Sequence, residues 1–483
     1  MNFVTKEPIN KGWSSDKKYC VTDENGTRYL LRVSDIAQHD TKQSEFNMMK
    51  QVASFGVPMC QPIEFGTCED GVYSIQSWID GEDAEQVMSG YSDTEQYVYG
   101  LEAGRILRKI HSIPAPATQE DWEIRFNRIV WCAQKAPLFA SGIVNGYFDD
   151  NVPMGFWRLL ALYISSNTLS SVYWAIPFGQ DEVNTMLNQA KEVLSWYDNM
   201  RNPVPTWYFK GYYLQYIDGI PFKLKSAFDF SFMKEYGTVF KVYDDQDSGN
   251  ICFGTEKDGQ RYFVKFAGAP TEQFGGDPAD AISRLKATLP IYSDLKHENL
   301  IELIEAKEIG DGFAMVFKWA DGDCMGRMYP AAHRRFMQLP INDRLAVFSD
   351  ILSFLECVVS RNYVAIDFYD GSIMYDFANG KTTICDIDLF HKQPCVNDMG
   401  RMWGSSRFQS PEEYQLGADI DEITNVYTLG ATAFALFGEY NRTREKWQLS
   451  DKLFEIATRA VSDDRTKRQQ SIRQFTAEWE AAQ

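Results

Sequence analysis

The chain has 483 residues, 44% of them hydrophobic and 24% charged, with a formal net charge of -19; this length calls for two or three domains, and the composition is that of a globular chain. Acidic residues outnumber basic ones in both halves, which argues against nucleic acid as a partner. No apolar run approaches the ~20 residues that span a bilayer, and the opening MNFVTKEPINKGW lacks the apolar core of a signal peptide, so a cytoplasmic location without a membrane partner is expected.

Nine cysteines without a C-x-x-C pair and five scattered histidines point to reduced thiols and away from a disulfide frame or a zinc site. Residues 17–33, KKYCVTDENGTRYLLRV, alternate around Asn25-Gly26, a hairpin pattern. A helical segment follows, with Glu45, Met48, Met49 and Val52 at near-helical spacing, and Gly56-Val57-Pro58 ends it. Gln61 to Gly66 and Gly71 to Trp78 are strand candidates. Together GWSSDKKY, YLLRVSD, EFNMMKQVASFGVP and QSWIDGEDA resemble the small lobe and hinge of aminoglycoside phosphotransferases. The resemblance implies that Arg32 is the strand cation and Glu45 its helix partner; the plain alternative is an unrelated surface Arg and surface Glu.

Residues 94–113 fit the first long helix of the large lobe in that family. The H-G-D loop and the D-F-D that should follow are absent. DWEIRFNRIVWCAQKAP instead leads straight into FWRLLALYISS and EVNTMLNQAKEVLSWYDNM, which resemble the family's distal helices. The segment carrying the base and the metal ligands is therefore read as lost, with the join near Trp122 to Trp131, and this half has nothing with which to transfer a phosphoryl group. Trp131, Trp157, Trp174 and Trp196 read as core or cover rather than as a binding cage. Residues 201–226, with two prolines before the aromatic run, read as a linker.

From Tyr236, VFKVY and ICFGTEKDGQRYFVKFAG give three strand runs with Asp258-Gly259 as a turn. Alternation puts Tyr262, Val264 and Phe266 on one face and Phe263 and Lys265 on the other. The preceding turn, DDQDSGNI, carries three aspartates and one glycine, Gly249. No Glu lies between Glu272 and Glu298, and Pro290 limits the helix expected there. AMVFKWADGDC (314–324) reads as a further strand and its exit, and residues 343–360 as a strongly periodic helix.

The most informative stretch is Tyr363 to Phe390, YVAIDFYDGSIMYDFANGKTTICDIDLF. It reads as strands Tyr363 to Ile366, Ser372 to Phe377 and Thr382 to Cys385, with Asn379-Gly380 as the hairpin turn. Asp367 leaves the first strand and Asp386 the third, so both carboxylates should emerge at one edge, a layout for chemistry rather than packing. GSSRFQSPEE, DIDEITNVYTLGATAFALFGE and VSDDRTKRQQSIRQF follow.

This order resembles the protein-kinase superfamily. The resemblance implies Lys265 for the phosphates, Asp367 as the base that accepts the hydroxyl proton, and Asp386 as the magnesium ligand, with Ser372, Asp370 or Asp388 as a second ligand. Gly249 stands in the glycine-rich loop, and the backbone of Lys318, Trp319 and Ala320 faces adenine. Asp280 or Asp294 substitutes for the missing helix Glu. Glu412 pairs with Arg468 or Arg465. Tyr369 replaces the catalytic-loop Lys, and Asp388 replaces a glycine, as in the D-x-D ending of aminoglycoside-phosphotransferase-like kinases.

The expected fold is α+β: two tandem bilobal protein-kinase-like modules, residues 1–218, lacking its catalytic segment, and residues 219–483. The expected function is an ATP- and magnesium-dependent phosphotransferase of the Ser/Thr protein kinase type, acting from the second module on a protein or a small alcohol. The alternative is a pseudokinase, a nucleotide-binding or purely interacting scaffold, favoured by the poor glycine loop, the missing helix Glu and the missing catalytic-loop Lys.

Overall fold

The computed structural model describes residues 3–10, 16–113, 135–197, 201–326 and 329–483. Helix and sheet are mixed along the chain, which divides into two compact units, Met1–Tyr212 and Tyr213–Gln483. Among the described residues no helix is long and apolar enough to cross a membrane.

The first unit opens with five antiparallel strands, β1 (Phe3–Pro8), β2 (Lys17–Asp23), β3 (Arg28–Ser34), β4 (Pro62–Cys68) and β5 (Gly71–Ser77), in the order β1-β2-β3-β5-β4. The turn between β2 and β3 forms because Asp23 accepts backbone N–H bonds from Asn25 and Thr27 at 2.9 Å, while Gly26 takes a φ of 80°. Helix α1 (His39–Ser54) runs between β3 and β4 and buries Phe46 and Val52. Helix α2 (Asp93–His111) starts at a Ser92/Glu95 capping box. It packs closely on α3 (Pro137–Phe148): a Cβ on Gly100 would sit 2.3 Å from Phe139 O, and one on Gly142 2.4 Å from Tyr97 O. Helices α4 (Met154–Ala175) and α5 (Gln180–Ser195) close a second core of Trp157, Leu160, Ile164, Val193, Trp196 and Tyr197. Trp157 and Trp196 are thus core residues, whereas Trp174 is exposed. Trp131 and the expected join near Trp122 to Trp131 lie outside the described residues.

The stretch expected as a linker is ordered. Trp207 and Tyr208 pack on the α4–α5 core, and Asn145 donates to the carbonyls of Phe209 and Lys210. Strands β6 (Tyr213–Ile217) and β7 (Ile220–Leu224) then form a hairpin whose Phe222 and Leu224 are buried in the second unit. The boundary expected between residues 218 and 219 falls at the turn of that hairpin.

In the second unit β8 (Thr238–Tyr243), β9 (Asn250–Lys257), β10 (Gln260–Ala267), β11 (Leu303–Ile309) and β12 (Gly312–Lys318) are ordered β8-β9-β10-β12-β11. This is the order of the first sheet, and helix α6 (Pro278–Asp294) again lies between the third and fourth strands in sequence. The helix continues through Pro290 to Asp294. Strand alternation separates two faces as expected. Val264 and Phe266 join Phe222, Phe230 and Met233 on one side, while Phe263 packs with Phe317, Leu285 and Tyr292 on the other.

Helices α7 (Pro330–Met337), α8 (Ile341–Ser360), α9 (Glu422–Phe437), α10 (Asp451–Ala460) and α11 (Ile472–Glu480) form the rest of the second unit around Phe348, Leu352, Phe434, Phe437 and Trp479. Short strands β13 (Asp323–Cys324), β15 (Ile373–Asp376) and β16 (Lys381–Ile384) make a small sheet, with β15 and β16 paired through the Asn379-Gly380 turn. Strand β14 (Tyr363–Val364) is shorter than expected and pairs instead with β17 (His391–Lys392).

Candidate active site

The third strand of the second sheet presents Lys265 opposite Cys252 on β9 and Met315 on β12. Its ammonium donates to Asp388 Oδ2 at 2.5 Å and to Asp386 Oδ1 at 3.2 Å. Burial alone would discharge Lys265, but Asp388 and then Asp386 outweigh it and hold its pKa well above the ordinary value. The partner of Lys265 is therefore not an acid on α6. Asp294, one expected substitute, accepts from Tyr363 OH at 2.9 Å and pairs with Lys392 at 3.0 Å. Asp280, the other, sits in the first turn of α6. The helix sends Tyr292 to the cluster instead, its OH donating to Asp388 Oδ1 at 3.0 Å.

Asp367 and Asp386 both have φ near +58° (58° and 57°), a left-handed conformation that is sparsely populated outside glycine and concentrates at functional positions. Burial raises the Asp367 pKa, Asp386 and Asp247 add like charge, and a hydrogen bond from the Ser405 backbone opposes them; the net result is a pKa of about 7. Gly404 holds the chain against the same carboxylate, since a Cβ there would lie 3.3 Å from Asp367 Oδ1. Lys265 and Asp386 are in contact, and the Asp386 charge is among the causes that raise the Asp367 pKa.

The remaining expected ligands separate. Asp388 has both oxygens committed, to Lys265 and Tyr292. Asp370 is buried between Arg407 (3.4 Å) and the hydroxyl of Tyr440, so it holds structure rather than facing the cleft. Ser372 is fully buried, its carbonyl accepts the Cys385 N–H at 2.9 Å, and its Oγ has no hydrogen-bond partner among the described residues. Asp386 keeps half of its side chain exposed (53%). Among the described residues no group of three or more His, Cys, Asp or Glu could hold a metal ion. This donor set fits magnesium carried in on a nucleotide's phosphates, which needs only one or two protein carboxylates, better than it fits a resident metal.

Gly249 adopts a φ of 84°, and a Cβ there would meet the Phe274 ring at 2.7 Å and Ala281 Cβ at 2.8 Å. The loop it ends is acidic, but two of its three aspartates are answered by one residue. Lys223 on β7, with a fully buried side chain, donates its backbone N–H to Asp244 at 2.8 Å and its ammonium to Asp245. Asp247 alone contributes charge toward Asp367. Around Lys318–Ala320, the Lys318 N–H donates to Glu302 O and the Trp319 N–H to Arg261 O, while the Trp319 ring packs edge-on against Phe240 at 5.0 Å. Arg468 makes two hydrogen bonds to Glu412 (2.6 and 2.9 Å) in a buried pair, and Arg465 turns to Asp421.

The strand cation of the first unit meets a different arrangement from the expected one. Arg32 pairs with Asp16 at 2.5 Å, not with Glu45. Asp16 also accepts from Ser34 Oγ (2.8 Å) and Lys42 (3.3 Å), and Glu45 reaches the cluster only through Lys42 at 3.0 Å. Asp16 is almost fully buried; that burial disfavours its charge, but Ser34, Arg32 and Lys42 together hold its pKa below the ordinary value.

Residues 5–140 match the family model of the phosphotransferase enzyme family, APH. The match spans the first sheet, α2 and the start of α3, and ties that part of the chain to phosphotransferases in general. No curated protein matches the chain. Tyr292, Lys223 and Asp16 are the contributors that sequence reasoning missed. The Glu-free helix was a signal that another residue fills that place, whereas nothing local marks Lys223 or Asp16.

Proposed function

We propose that the chain is two protein-kinase-like modules in tandem, and that the second is an ATP- and magnesium-dependent phosphotransferase of the Ser/Thr protein kinase type. The shared strand order of the two sheets, with a helix after the third strand in each, supports the tandem reading. The observation that carries the activity is the cluster of Lys265, Asp386 and Asp367, in which a cation suited to phosphates, a half-exposed carboxylate and a base poised near neutrality share one site.

In this reading Lys265 would meet the phosphates and Asp386 would hold a magnesium ion, which when bound supplies charge neutralisation there. Ser372 is the expected second ligand whose hydroxyl has no hydrogen-bond partner among the described residues, and it is fully buried. Lys318, Trp319 and Ala320 would line the adenine side, although the Lys318 and Trp319 N–H groups are committed to the carbonyls of Glu302 and Arg261. Asp367 orients an acceptor hydroxyl and takes its proton as the new O–P bond forms and the bond from the γ-phosphorus to the β–γ bridging oxygen breaks. The acceptor is a protein or a small alcohol, and the setting is cytoplasmic. The first unit is catalytically silent in this reading, because its sequence lacks the H-G-D and D-F-D motifs that would carry a base and metal ligands.

A magnesium-dependent rise in thermal stability with ATP, followed by ATP consumption with protein and small-alcohol acceptors, tests this. The second reading, a pseudokinase scaffold, is favoured by one observation: two aspartates already neutralise Lys265. A nucleotide-induced shift without ATP consumption, or no shift at all, would favour that reading over the first.

A further inference from the structure

We infer that Asp388 is the residue that orients Lys265, and that Tyr292 on α6 fixes Asp388 for this task. The inference rests on the proposed reading of the site, and it reassigns Asp388 from metal ligand to positioning residue. Each Asp388 oxygen has one partner, Lys265 on Oδ2 and the Tyr292 hydroxyl on Oδ1. Tyr292 is itself buried, and its ring packs edge-on against Phe317 at 5.0 Å. The helix therefore contributes a neutral donor, and the carboxylate comes from the loop after β16. The one ammonium and two carboxylates leave a net charge of about −1 at the cluster, with Asp386 the acid still open to solvent. A hydrogen bond to a charged group carries more free energy than one between neutral groups, so the Tyr292 contact is a strong constraint on where Asp388, and hence Lys265, can sit.

The full chain is compared with Tyr292→Phe, Asp388→Asn and, as a control for a distant ion pair, Asp294→Asn. The first measurement needs no nucleotide: the rate at which an amine-reactive ester labels Lys265, read by peptide mass spectrometry. The rate should rise severalfold in Tyr292→Phe and Asp388→Asn and stay unchanged in Asp294→Asn; equal rates in all four proteins overturn the inference. The second is calorimetric affinity for magnesium-ATP against adenosine. Asp388→Asn should lose about tenfold of the preference for ATP while binding adenosine as before. Tyr292→Phe should shift it in the same direction, and the double variant should be no worse than Asp388→Asn alone. If Asp388→Asn instead removes the magnesium dependence of binding, as expected for Asp386→Asn, Asp388 is a metal ligand and the inference falls. Should the unsubstituted protein bind neither ATP nor adenosine while the labelling pattern holds, the proposed function fails and the positioning role stands.

Discussion

Asp367 and Glu413 are two carboxyl groups whose pKa values burial lifts to about 7. In the unfolded chain both titrate near 4. Between those values the folded state holds more protons than the unfolded one, so the contribution of these two groups to stability falls as pH rises from about 5 to 7 and is flat above it. Glu413 spends its carboxylate on the Ser410 N–H (2.6 Å) and hydroxyl (3.0 Å), bonds a glutamine carbonyl can also accept. Glu413→Gln should therefore flatten the fall in melting temperature between pH 5 and pH 8, and an unchanged slope would contradict the assignment. Asp367 and Asp386 divide differently. Asp367→Asn should leave ATP binding near normal while turnover drops about 10²–10⁴-fold, the usual worth of a positioned base. Asp386→Asn should abolish both turnover and the magnesium dependence of binding. Turnover that survives both substitutions would end the catalytic assignment.

Among the elements, the segment from β17 to α9 meets Asp367 through the Ser405 backbone. Kinases switched by phosphorylation use an Arg beside the base to grip the loop phosphate; here that neighbour is Ile366, which is buried. Ser405 instead uses its backbone against Asp367. Phosphatase treatment should leave turnover unchanged, and a large loss traced to Ser405 or Ser406 would refute this. The strands and helices of this unit were legible because their signals are local: alternation in RYFVKFAG, Asn379-Gly380 at a hairpin, and the periodicity of residues 343–360. The order of motifs also points to Lys265 beside Asp386 and Glu412 beside Arg468, pairs that are in contact in the fold. What was not legible depends on charge balance between distant segments. The helix spacing offers Glu45 to Arg32, and only folding shows that Asp16, sixteen positions upstream, reaches it. Asp388 looks like a ligand in sequence because nothing there reveals that Lys265 and Tyr292 use both its oxygens. Residues 213–224 read as linker because two short strands of five residues, rich in tyrosine and interrupted by glycine and proline, give little periodic signal.

At the scale of the whole molecule, phosphotransferase sequence similarity and the candidate chemistry lie in different units: the family match ends at residue 140, and the lysine–aspartate cluster begins at Lys265. Residues 1–212 alone should show no phosphotransferase turnover toward aminoglycosides or any other alcohol, whereas residues 213–483 should keep whatever turnover the full chain has. Turnover by the first fragment, purified free of the second, would overturn the division. The fully buried Lys223 also decides where such a fragment can begin. The kinase-like pattern in the sequence starts at Tyr236, and trimming the chain there would be the natural choice. It would strip Phe222 and Leu224 from one face of the sheet and leave Asp244, buried at 6% exposure, without the backbone donor that answers it. A protein trimmed at Tyr236 should come out of cells misfolded, and its failure would say nothing about catalysis; twenty-three more residues at its front, from Tyr213, separate a fair trial from a false negative.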